Sequence, residues 1–410
     1  MGASAVAIAS LWSAAVTYVV MTVAARVLEP AQATLLLTVL AVLFAAYGVL
    51  SGLALEVTRS IAASVHQARD DGPRLWVVAA VTSLVTCGVV VALVPIWRSR
   101  ILHDADAGLL VALSVAVTGY VWHCVLVGAA TGRARWGDAA SVIGAEATVR
   151  LLSTVAVVLG AASITSMGVA TAAGAFAWLV LLVVSPGVRS ALSLRTDCAW
   201  PALARRISAA LVAQGASAVL VVGFPVLLAA TTAPADYRSA APLLLAVSLT
   251  RAPVLLPLNA LQGVVVSHLV RASTGLARPL VRMLGAVALV GLVGAALAYL
   301  VGPALLGVLF GADYVVTGGV LAVLTFAAAG TAALTLTGAC AQALALHAVY
   351  LAGWVVAVVA CLLLLQAPGS LELRTCLSLG LAPLAGLLVH GVGLARVRRR
   401  RAALDGSARA

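Results

Sequence analysis

Two arginines stand inside stretches that are otherwise apolar, and they set the chemistry this sequence can do. Arg150 lies near the middle of the stretch 139–160 and Arg251 within 240–266. A guanidinium is planar and always charged, with N–H donors forming a fork that matches phosphate or carboxylate. Near the centre of a bilayer such a charge costs several kcal/mol, so it faces a partner or a water-filled cavity. The chemistry on offer is recognition of an anion at membrane depth. For Arg150 a second reading stays open: Glu146 precedes it by one turn, and an i,i+4 pair can satisfy both charges within one helix. Arg251 has no acid within a turn, the nearest before it being Asp236. It sits beside Pro253 and Pro257, which remove backbone donors and kink a helix, and Asn259 and Gln262 follow on the same segment. Irregular helix in a membrane lines a cavity or is buried in protein, so Arg251, Asn259 and Gln262 are candidate substrate contacts. Gln214, Thr17, Tyr18 and Thr22 are weaker candidates, since such groups are more often interhelical hydrogen bonds. Histidine titrates near neutrality, so His123 and His390 would suit a proton relay, or are packed and hydrogen-bonded.

Positioning these residues falls to about twelve apolar stretches, each near the length of about 20 helical residues that crosses about 30 Å of hydrocarbon. They run over 5–25, 31–55, 77–97, 107–130, 139–160 and 164–184, then over 207–230, 240–266, 281–301, 315–337, 345–365 and 376–394. With 63% hydrophobic and 9% charged residues among 410, the chain departs far from a soluble domain, where about 25% are charged. It reads as an all-α integral membrane protein. The weakly apolar link 185–206 divides the spans six and six, giving lobes at 1–190 and 191–396 and a basic tail at 397–410. Six spans return the chain to its starting side, which permits a parallel repeat. With the N-terminus inside, 18 of the 25 arginines fall on the cytoplasmic side, and only Arg26, Arg98, Arg100, Arg238 and Arg374 fall outside. By the positive-inside rule both termini are then cytoplasmic, in a bacterial plasma membrane.

A formal charge of +12 raises nucleic acid as a partner. The charge is all arginine and the cluster Arg396–Arg401 abuts a span, so anionic lipid is the expected partner of the tail and nucleic acid is not. The six cysteines show no CxxC pair or metal-ligand spacing, so neither a disulfide nor a metal is expected. No phosphate-binding loop, HExxH or GxSxG is present, so no enzyme and no cofactor is expected. Asp104 and Asp106 fall on the outer side, where catalytic acids of a glycosyltransferase or simply a solvated loop would place them.

Several phrases resemble one family. Ala25-Arg26-Val27-Leu28-Glu29-Pro30 resembles the "aRlLgp" signature of polysaccharide flippases in the multidrug/oligosaccharidyl-lipid/polysaccharide (MOP) exporter superfamily, with Glu29 where that family usually has glycine. The segment GPALLGVLFGADY at 302–314 is similar to its "l…lfG.ey" segment, Ala129–Arg133 to its "l.a.gr" turn, and Ala235-Asp236-Tyr237 to its turn before span eight. The resemblance implies two six-helix lobes in a V, with Arg26, Arg59 and Arg251 at or near a central cationic cavity and Arg150 in an outer bundle. Twelve spans fit the O-antigen, Wzx-like group. The implied cargo is a polyprenyl-diphosphate-linked oligosaccharide moved to the outer leaflet by alternating access, with a polymerase or glycosyltransferases as partners. A drug antiporter of the multidrug and toxin extrusion (MATE) type and a non-transporting scaffold of envelope assembly remain open.

Overall fold

In hydrocarbon every backbone N–H and C=O needs a partner within its own segment, so long apolar stretches become helices. A computed structural model describes residues 3–67, 71–254, 277–344 and 346–407, and among these the chain is helical with no strand. In order the helices are α1 (Ala3–Val27), α2 (Pro30–Gln67), α3 (Leu75–Arg100), α4 (Ala107–Gly132), α5 (Trp136–Leu159), α6 (Ile164–Ala173), α7 (Ala177–Val184) and α8 (Pro186–Ala191). They continue as α9 (Trp200–Val221), α10 (Phe224–Ala230), α11 (Pro234–Tyr237) and α12 (Ala241–Val254). The last four are α13 (Ala277–Phe310), α14 (Gly318–Ala343), α15 (His347–Leu364) and α16 (Leu371–Ser407). Ten spans among the described residues are long and apolar enough to cross a membrane, or eleven with the bent pair α9–α10. Large apolar side chains such as Leu84, Val183, Leu300, Val308 and Leu388 are exposed on them, as lipid-facing surfaces require. The protein is a multi-pass membrane protein.

Three elements differ from the sequence reading. The second span was expected to end at residue 55, where charge begins, but α2 continues to Gln67 because Val57 and Ile61 keep one face buried and no breaker intervenes before Gly72-Pro73. The seventh span is broken: α9 and α10 meet at a 72° bend, at Val222-Gly223, with Pro225 in the first turn of α10. The sixth is interrupted by a turn of 3-10 helix at 174–176 between α6 and α7. Of the eighth, α12 is described to Val254, so Pro257, Asn259 and Gln262 lie outside the described residues.

By packing, the chain falls into two compact units, Met1–Ala241 and Pro242–Ala410. The sequence divided the chain by its weakly apolar link instead, at 190 and 191. The packing boundary lies further on because α9 is packed along α2. Inside the first unit α4 packs on α2, α3 and α5, and α1 packs on α5. Inside the second, α14 packs on α13, α15 and α16. There His390 is buried, with Nδ1 2.9 Å from Thr337 Oγ1 and Nε2 3.2 Å from the Tyr350 carbonyl. Three helices share this histidine as a packing element.

Candidate functional site

Within the first unit α2 carries several polar side chains that meet other helices and loops. Its last turns extend beyond the apolar stretch and bring Glu56, Arg59 and Ser60 to the loop before α9. Arg59 Nη2 lies 2.6 Å from Glu56 Oε1, and its Nη1 and Nη2 each donate to Asp197 at 3.2 Å. Ser60 Oγ donates to Asp197 Oδ1 at 2.7 Å and accepts from the Asp197 backbone N–H at 3.1 Å. Arg206 Nη1, from the first turns of α9, completes the group at 3.3 Å from Asp197 Oδ2. Burial raises the pKa of Asp197, but the hydrogen bonds from Arg59 and Ser60 and the charge of Arg59 outweigh it and hold the carboxyl at about 2. The Arg59 fork is thus engaged by two carboxylates, while its side chain stays 43% exposed. The i,i+3 spacing of Glu56 and Arg59 was available in the sequence, whereas Asp197, 138 residues away, carried no such signal.

Further along, the α2–α9 seam is held by close backbone approach. A Cβ on Gly52 would sit 2.5 Å from the Ala210 carbonyl oxygen, so only glycine fits there without moving α9. On that seam Gln214 donates from Nε2 to Ser51 Oγ at 3.4 Å, the interhelical role expected of most such groups. At its other end α2 is tied again. Thr34 Oγ1 donates to the Arg238 carbonyl and accepts from the Ala241 N–H, both at 3.0 Å. Thr38 Oγ1 lies 2.7 Å from Tyr237 Oη, which donates to the Pro225 carbonyl at 3.1 Å. Beside this tie Arg238 grips Asp104 through two bonds of 3.0 and 2.8 Å, which lower the Asp104 pKa. Asp106 caps α4 through the Leu109 N–H and accepts from Thr165 Oγ1. Both acids are engaged structurally.

Arg150 and Glu146 form a buried group of their own. Nη1 of Arg150 is 3.4 Å from Glu146 Oε1, with the side chains 2% and 7% exposed. Nη2 donates to the Ser13 carbonyl and hydroxyl at 3.2 Å, and the guanidinium lies 5.1 Å over the Phe44 ring. Next to them Tyr47, Tyr120 and His123 stack in series at 3.6 and 4.4 Å. The group joins α1, α2, α4 and α5, and encloses the charges in protein.

Arg251 lies in α12, 8% exposed. Arg26 ends α1 and is exposed. Of the sequence candidates the structure thus places Arg59 and Gln214 along one seam, pairs Glu146 with Arg150, and sets Arg251 in the second unit. Chemically, the described residues 242–410 combine a buried arginine with acids only at Asp313, between α13 and α14, at Glu372 in the first turn of α16, and at Asp405 near its end. Among the described residues no group of His, Cys, Asp and Glu is arranged to hold a metal ion.

No family model matches the sequence. The Mycobacterium tuberculosis protein Rv1510, itself uncharacterized, is 39% identical over 391 residues, covering 95% of this chain and 90% of its own. Among solved structures, an inward-facing MATE family multidrug resistance transporter of the MOP superfamily superposes with a TM-score of 0.71 at 12% identity, over 97% of this chain and 96% of the other. A MOP superfamily transporter from Pyrococcus furiosus, described as having a binding pocket of reversed polarity that suggests a different function, superposes with a TM-score of 0.67 at 12% identity, over 97% and 95%. At that identity the likeness is one of fold.

Proposed function

The chain belongs to the family of Mycobacterium tuberculosis Rv1510 and has the fold of MATE transporters of the MOP superfamily, and from this we propose that it is a flippase for a polyprenyl-diphosphate-linked oligosaccharide. The cargo passes from the cytoplasmic to the outer leaflet of the plasma membrane by alternating access, for cell-surface polysaccharide synthesis. The observation that carries this reading is the sign of the charge inside the second unit. Arg251 is buried in an apolar helix, and the acids of residues 242–410 stand away from the middle of the spans: Asp313 between α13 and α14, Glu372 in the first turn of α16 and Asp405 near its end. Cation exchange needs an acid that can trade its counterion, whereas a buried guanidinium favours phosphate oxygens. In the first unit the buried acid Glu146 already faces Arg150, so it is no open cation site either. The Pyrococcus protein, described as having a binding pocket of reversed polarity that suggests a different function, shares this fold.

In this reading the end of the first unit bearing Arg59, Arg74, Arg133, Arg135, Arg189, Arg195, Arg205 and Arg206 faces the cytoplasm, with both termini on that side. The tail arginines Arg396–Arg401 hold anionic lipid, and polymerase or glycosyltransferases act on the delivered glycan. Arg251, with Asn259 and Gln262 on the continuing segment, contacts the diphosphate; Arg26 and Arg59 serve its approach. The test is flipping of a fluorescent polyprenyl-diphosphate glycan in proteoliposomes, scored by protection from an impermeant quencher. Arg251→Ala should slow flipping at least about tenfold, the loss of about 1.5–3 kcal/mol of charge-assisted hydrogen bonding, with Arg251→Lys between. Unchanged flipping by a monodisperse Arg251→Ala protein would remove the assignment.

A further inference from the structure

The link between α8 and α9 lies against the loop between α2 and α3 as a short two-stranded clamp. Gly72 N–H donates to the Thr196 carbonyl at 3.0 Å and Thr196 N–H to the Pro73 carbonyl at 3.2 Å. Leu75 and Trp76 donate to the carbonyls of Leu194 and Leu192 at 2.9 and 3.1 Å. The clamp is tight: a Cβ on Gly72 would collide with Thr196 Oγ1 and the Cys198 carbonyl oxygen. Its consequence is electrostatic. Arg74 and Arg195 are opposite residues of an isolated antiparallel bridge, a position where side chains start about 5 Å apart and like charges repel. No described carboxylate lies within ion-pair distance of either arginine. Arg195 Nη1 donates to the Gly72 carbonyl at 3.2 Å, which pins one guanidinium over the bridge.

Beside the bridge opens a cavity of about 520 Å³, lined by Ile61, Ser64 and Val65 of α2 and by Arg74, Ser193, Leu194 and Arg195 of the clamp. Two cations and the Ser64 hydroxyl therefore line one hollow together with the apolar side chains of Ile61, Val65 and Leu194. The depth is that of a membrane surface, because the membrane-length helix α3 begins at Leu75 and the next residue, Trp76, is exposed, as aromatic residues at the water boundary are. A backbone clamp that forces two arginines together, next to a half-polar hollow at headgroup depth, is stabilised by an anion that bridges them.

We propose that Arg74 and Arg195, with Ser64, form a binding site for a phosphate-bearing lipid headgroup within the first unit. One phosphate or two linked phosphates span the paired guanidiniums, while Ile61, Val65 and Leu194 meet the start of the hydrocarbon. The site stands whether or not the chain is a flippase. Its ligand has two sources, a resident acidic phospholipid or a polyprenyl diphosphate.

The experiment measures binding to the purified full chain in detergent micelles, by native mass spectrometry and by lipid-induced thermal stabilisation. The probes are cardiolipin, phosphatidylglycerol, undecaprenyl diphosphate and, as a zwitterionic control, phosphatidylcholine. The wild type should bind at least one anionic probe and not the control, and Arg74→Ala with Arg195→Ala should weaken that binding at least tenfold. Arg98→Ala with Arg100→Ala, at the far end of α3, should leave it unchanged. The single variant Arg74→Ala, whose bridge contacts are made by backbone, should fold and show a partial loss. Binding of the phospholipids identifies a resident lipid; binding of undecaprenyl diphosphate alone identifies the carrier. Undiminished binding in the double variant, or an equal loss in the Arg98 and Arg100 variant, would overturn the site. A protein that binds normally at Arg74 and Arg195 but fails to flip glycan would refute the flippase reading and leave this one standing.

Discussion

Replacing Asp197 by asparagine keeps the shape of the side chain and removes the charge on which Arg59, Arg206 and Ser60 converge. The carboxyl is held at about 2 against 3.8 for the free group. At about 1.4 kcal/mol per pH unit, that difference corresponds to about 2.5 kcal/mol if nothing were screened. Arg59 and Arg206 are 43% and 41% exposed while Asp197 is 11% exposed, so solvent reduces the figure to about 1–1.5 kcal/mol. A depressed carboxyl contributes stability that is fully present above the unfolded pKa and is lost as pH falls through the folded one. Asp197→Asn should therefore lower the melting temperature in detergent at pH 7 by about 1–2 °C, and its deficit against the wild type should shrink as pH falls from about 4 toward 2. Hydrogen exchange should locate the change: the amides of Gly72, Leu75 and Thr196, bonded across the clamp next to Asp197, should exchange faster in the variant. Equal melting temperatures at pH 7, or a deficit that stays constant down to about pH 2.5, would refute the reasoning.

Other perturbations probe the membrane-embedded contacts. Arg150→Ala strands Glu146 in a buried site and should destabilise the fold by about 3–5 kcal/mol, while Arg150→Met with Glu146→Gln should recover most of the loss. Both are read by the fraction surviving a heating step before size-exclusion chromatography. Gly52→Ala drives a Cβ into the Ala210 carbonyl and should cost about 1–3 kcal/mol by the same assay. Gly144→Ala, with nothing within 4 Å of the added carbon, should be neutral.

The helical, membrane-spanning character of this chain was legible because hydrocarbon allows so few backbone solutions: an apolar stretch of about 20 residues bounded by charge has to be a helix. The spacing of Glu146 and Arg150 likewise put both charges on one helix face, since helical neighbours recur every three to four residues. Local rules failed where charge was taken as the end of a helix. Glu56 and Arg59 looked like a boundary after Leu55, yet α2 runs to Gln67 because its buried face continues. The break between α9 and α10 was similarly hidden in an unbroken apolar run.

Periodicity and composition thus determined what each segment is. Tertiary structure alone decided which charges meet between distant segments. Asp197 reaches Arg59 across 138 residues, and Arg74 stands opposite Arg195 only because two loops pair backbone to backbone. Propensity and spacing act over a turn or two of chain, while electrostatic partners are chosen by distance in space, which packing sets.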